Sequence, residues 1–180
     1  HQFSHLWDME HHTHHGAAPS HGFKVGIGSL ASTALYEALF ALPLRDFGVE
    51  EAVDAWPDAA RIAGEIEGLF PSEELASKAR AESLAKHPSR EQLRTELAML
   101  KAAVPALEDR LQAQLLPYAT LRDMLAAAGA PTCSREIGIP PERLALSCRK
   151  AYHIRRRYTV LDLARRTGKF DEAIVGMSTK

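Results

Sequence analysis

Apolar side chains recur at three- and four-residue intervals along nearly the whole chain, and nowhere do they alternate with polar ones over the length of a strand. Alanine and leucine dominate, and β-branched residues rarely follow one another. The pattern predicts an all-α protein, a helical bundle. Residues 1–10 (HQFSHLWDME) read as the end of a helix with Phe3, Leu6 and Trp7 on one side. Residues 11–20 form a polar loop broken by Gly16 and Pro19. Ser20 stands where an N-cap belongs, and a long apolar helix follows over 22–42. Beyond Pro43, helices are expected at 49–56, 57–70, 72–86, 89–102 and 104–128, the last stopped by Gly129 and Pro131. Ser72 opens one of them, with Glu73 and Glu74 complementing its dipole. Ser89 and Gln92 have the spacing of a capping box. The Pro140-Pro141 pair starts a helix over 140–156, and Gly168 separates two final segments, 159–167 and 170–177.

No linker or internal repeat divides the 180 residues, a length that can bury one good core. The 46% hydrophobic and 25% charged contents are those of an ordinary globular chain. A net charge of -1 gives no broad attraction for nucleic acid or an acidic membrane surface, so function must come from a local site. No apolar run approaches the roughly 20 residues that span a bilayer. Only two cysteines occur, Cys133 and Cys148, and no signal pattern opens the chain, so a reducing cytoplasm is the expected setting. The first residue is His rather than Met, within what reads as a helix, and the sequence is expected to be a fragment.

The main chemical signal is histidine. Seven of the nine histidines lie in the first 21 residues: His1, His5, His11, His12, His14, His15 and His21. His1 and His5 stand at i and i+4 and share a helix face. If the following loop folds the next helix back, His21 joins them. Neutral imidazole is a ligand for Zn, Ni and Fe. Spacing alone leaves two readings open, a metal site or surface and packing histidines. The HHTHH run reads as a solvated loop. Gly26-Ile27-Gly28-Ser29-Leu30-Ala31 matches G-x-G-x-x-A, but no strand precedes it. It is better explained by close helix approach or substrate access than by dinucleotide binding.

The strings HQFSHLWDME, HGFKVGIGSL and IRRRYTVLDLA together resemble the bacterial glycerol-1-phosphate dehydrogenases, within the iron-containing alcohol dehydrogenase, glycerol dehydrogenase and dehydroquinate synthase superfamily. The likeness runs from His1 to about Met177. It implies that residues 1–180 are the C-terminal helical metal- and substrate-binding domain, preceded by an α/β domain that binds NAD(P). It implies His1 and His21 as metal ligands, with an Asp ligand upstream that Asp8 does not match. His5 corresponds to a recurrent histidine near the substrate and is the candidate catalytic residue. The His21-Gly22-Phe23-Lys24 string departs from glycerol dehydrogenases, which often carry Glu before the Lys.

The implied reaction interconverts dihydroxyacetone phosphate and sn-glycerol 1-phosphate, with a divalent metal (Zn, Ni or Fe) polarising the carbonyl and nicotinamide supplying hydride. Residues 1–180 alone are then expected to be inactive, and a homodimer or larger assembly is expected. The phosphate needs cationic donors. Lys24 near a helix N-terminus is the first candidate, and the Arg155-Arg156-Arg157 cluster is the second, unless it only complements a helix end. Tyr158 and Asp162, at i and i+4, read as structural. Other readings are a non-catalytic helical binding or assembly module, a polyol dehydrogenase, or a lyase of the dehydroquinate synthase type, against which IRRRYTVLDLA argues. No nucleic-acid or membrane partner is expected.

Overall fold

A computed structural model describes residues 1–179, and among these the protein is all-α, with no β-strand. Its helices are α1 (Gln2–Met9), α2 (His21–Phe40), α3 (Val49–Ala55), α4 (Ala59–Leu69), α5 (Glu73–Leu84), α6 (Arg90–Gln114), α7 (Tyr118–Ala127), α8 (Pro141–His153), α9 (Val160–Arg166) and α10 (Phe170–Met177). Single 3-10 turns occur at Leu44–Asp46 and Ser134–Ile137.

Local chemistry explains most of the boundaries. The side chains of Ser20, Asp58 and Ser72 accept from the amides of Phe23, Arg61 and Leu75, so each satisfies a donor that the first turn of its helix leaves unpaired. Both arms of the Ser89/Gln92 capping box form at the start of α6. Gly168, at φ +73°, takes up the left-handed conformation that turns the chain between α9 and α10.

Two boundaries differ from the expected ones. α6 continues through Pro105 to Gln114, and the break falls at Leu115–Pro117 instead of near 103. Pro105 forfeits only the bond to the carbonyl of Lys101, in a stretch of exposed side chains where water can take that carbonyl. Pro117 disfavours helical backbone at Leu116, and Leu115 has already turned to ψ 132°. α8 ends at His153, not at 156, where α5 and the turn that follows it supply partners. Lys86 Nζ donates to the Tyr152 carbonyl (2.7 Å), Ser83 Oγ reaches that of His153 (3.5 Å), and Glu82 accepts from the Arg156 amide (2.9 Å). The three arginines therefore lie on a non-helical segment between α8 and α9.

α2 is the central helix and packs against α1, α7, α9 and α10, while α8 joins this layer to α4 and α5. Phe3, Leu6 and Trp7 all point into the core, and the Trp7 indole N–H donates to Ser147 Oγ at 2.9 Å. Gly28 lets α1 lie close on α2: a Cβ there would stand 3.2 Å from Phe3 Cβ. The G-x-G-x-x-A string thus sits inside α2 and serves helix packing, as expected. Among the described residues no helix is long and apolar enough to cross a membrane.

Candidate functional site

The α1–loop–α2 hairpin builds the histidine cluster. His1 caps α1, His5 follows one turn later, and His21 opens α2 after the loop returns the chain. Ring centroids stand 4.5 Å apart for His1 and His5, 5.7 Å for His1 and His21, and 6.3 Å for His5 and His21. The structure thus brings together the three histidines that spacing and resemblance single out.

A polar layer beneath the rings orients His21. Ser4 is fully buried on the inner face of α1, and its Oγ lies 3.2 Å from His21 Nδ1. A carboxylate oxygen of Asp8 lies 3.7 Å from the same nitrogen. With Nδ1 engaged on this side, Nε2 is the nitrogen left to act as an acceptor or ligand, the arrangement that second-shell groups give a metal-binding imidazole. Asp8 in turn pairs with Lys24, and that hydrogen bond holds its carboxyl below the usual carboxylate range. Burial, reinforced by the positive charge of Arg155, pushes the His5 imidazole below its usual value and favours the neutral ring near pH 7.

Lys24 is placed differently from its expected role. Its side chain is 6% exposed and committed to Asp8, so it stabilises the layer under His21 and does not stand free for a substrate phosphate. The HHTHH loop is also not simply solvated. His12 is buried, with Nε2 2.6 Å from the Ile137 carbonyl and Nδ1 2.7 Å from Arg143, so it docks the loop on the bundle. His14 and His15 lie with ring centroids 3.8 Å apart. Among the described residues, no group of three or more His, Cys, Asp or Glu side chains is arranged to hold a metal ion. The three rings of the cluster are gathered, but they are not closed on one point.

A cleft of about 410 Å³ adjoins the cluster, and its lining includes His1, His5, Gln2, Ser32, Arg155 and Arg157. Ser4, Gln2 and Ser32 carried no signal in the sequence as site residues. Ser4 and Asp8 do share a helix face at i and i+4, which is the one pattern that could have revealed the layer under His21. No family model, curated protein or solved structure matches the chain.

Proposed function

We propose that the chain is the helical, metal- and substrate-holding part of an NAD(P)-linked oxidoreductase that interconverts dihydroxyacetone phosphate and sn-glycerol 1-phosphate. The observation that carries this reading is the meeting of His1, His5 and His21 beside a cleft, with His21 Nδ1 already engaged by Ser4 and Asp8. His1 and His21 hold a divalent ion (Zn, Ni or Fe), completed by a carboxylate from outside these residues. The donor set fits such an ion, since imidazole suits all three metals. When bound, the ion supplies Lewis acidity at the substrate carbonyl oxygen, and NAD(P)H, held mainly by a preceding domain, supplies hydride.

The chain's own residues perform the remaining tasks. Ser4 and Asp8 fix the ring of His21, and Lys24 fixes Asp8. His5, neutral near pH 7, passes a proton to or from the substrate hydroxyl. The cleft holds the three-carbon substrate away from bulk water.

The test follows NAD(P)H oxidation with dihydroxyacetone phosphate by the full-length protein. The expected result is activity that a chelator removes, that Zn, Ni or Fe restores, and that His1→Ala and His21→Ala abolish. Full activity in metal-free protein or in those variants would overturn the reading. Metal binding without any turnover would assign the chain to a non-catalytic binding module.

A further inference from the structure

We propose that Arg155 and Arg157, on the non-helical segment between α8 and α9, form the anion subsite of the cleft and take the phosphate of a small phosphomonoester whose other end meets the histidine cluster. The proposal deepens the oxidoreductase reading and rests on it for the identity of the substrate. The subsite itself rests on the arrangement of these side chains.

The first support is backbone geometry. Because α8 stops at His153, residues 155–157 are not helical. Released from helical geometry, the three arginines are free to be directed to different places. Their contacts differ accordingly. Arg156 turns away and is bound to Glu82, through its guanidinium at 2.8 Å and its backbone amide at 2.9 Å. Arg155 and Arg157 line the cleft with His1 and His5. The macrodipole explanation for this cluster also weakens, because all three arginines lie beyond the last turn of α8.

The second support is what these groups lack. Arg155 and Arg157 make no hydrogen bond or ion pair among the described residues, although Arg45, Arg94, Arg143, Arg156, Arg165 and Arg166 each hold a carboxylate. Two unpaired guanidiniums facing one concavity form a cationic pocket, and their planar forks match phosphate oxygens in two-point contacts. Gln2 lines the same cleft, and its side-chain amide nitrogen is buried without a hydrogen-bond partner. A ligand oxygen would accept from it. The volume of about 410 Å³ lies in the range of small-molecule sites, about 300–1,000 Å³.

The segment is also held rigidly. Thr159 N and Oγ1 both donate to Asp162 (2.9 and 3.0 Å), which anchors the end of the segment, and Glu82 anchors its middle. Fixed donors reduce the ordering that binding requires.

The experiment titrates chelator-treated protein with inorganic phosphate and with glycerol 1-phosphate, following ³¹P linewidths and heat. Wild type is expected to bind both without metal. Arg155→Gln and Arg157→Gln should each weaken binding about tenfold, or about 1.4 kcal/mol. The double variant should lose it, and Arg156→Gln should leave it within about twofold. Circular dichroism melts show which variants are folded, and Arg155→Lys serves where the Gln variant is not, with partial retention expected. Wild type that binds neither anion, or a folded double variant that binds both undiminished, would overturn the proposal. Reductase assays separate the two ideas. Phosphate binding lost in the arginine variants without any turnover in the full-length wild-type protein keeps the subsite and sinks the oxidoreductase reading. Full turnover at unchanged KM in the double variant does the reverse.

Discussion

Asp162→Asn should be one of the most damaging single-atom-scale changes in this protein. Asp162 is fully buried, and its carboxylate does two jobs. One oxygen lies 2.7 Å from Lys86 Nζ, itself almost buried, and the other accepts from Thr159 N and Oγ1 to form the capping box of α9. Removing one member of a buried ion pair costs about 3–5 kcal/mol, because the survivor keeps its desolvation penalty. Lys86 retains the Tyr152 carbonyl at 2.7 Å and the Tyr152 ring at 3.8 Å, which places the loss at the low end, near 3 kcal/mol. A weakened cap adds about 1 kcal/mol. A total near 4 kcal/mol corresponds to a Tm drop of about 8–16 °C for a chain of this size. The assay is urea and thermal unfolding followed by far-UV circular dichroism. The partner experiment replaces both members, as Lys86→Met with Asp162→Leu, and should recover most of the pair's share because no charge is left stranded. A loss under about 1 kcal/mol for Asp162→Asn, or a double variant no better than the single, would refute the reasoning.

Three further predictions follow from buried and half-buried groups. Burial alone would raise the carboxyl of Glu65, but His153 and Arg165 together outweigh it and hold it far below its usual 4.5. Its contribution to stability is therefore complete above pH 4.5 and is lost as pH falls below that value, so wild type should lose more stability than Glu65→Gln between about pH 5 and 3. Parallel urea-midpoint curves for the two would contradict this. Cys133 is exposed, whereas burial pushes the Cys148 thiol up to about 12, so one thiol should react quickly with a disulfide reagent under native conditions and Cys133→Ser should remove it. A fast-reacting thiol persisting in that variant would be the wrong outcome. Asp8→Asn should weaken metal binding about 10–100-fold, through the loosened ring of His21, while leaving the His1 ring in place. Unchanged affinity by competition with a chromophoric chelator would show that Asp8 does not orient the site.

Helix identity was legible in the sequence because it is written locally, in Ser20, Ser72, Ser89-Gln92 and Pro140-Pro141. The two misplaced boundaries depended on features with no local mark. Pro105 and Pro117 look alike in the sequence, yet α6 runs through the first and ends before the second. The end of α8 is set by Glu82, Ser83 and Lys86, more than sixty residues away. The site divided in the same way. His1 and His5 share a face by periodicity, but the return of His21 required the loop that His12 docks. Lys24 looked free for a ligand because nothing in the sequence pairs it with Asp8. That Arg155 and Arg157 line the cleft while Arg156 holds Glu82 became visible only once α8 was seen to end at His153.

The central claim is that His1 and His21 hold a divalent metal, and X-ray absorption at the zinc edge of the zinc-loaded full-length protein tests it most directly. The account predicts a first shell containing imidazole nitrogens at about 2.0–2.1 Å, lost in His1→Ala and His21→Ala and kept when His11, His14 and His15 are replaced together. Imidazole scattering that survives the first two substitutions, or disappears only with the loop histidines, would contradict it.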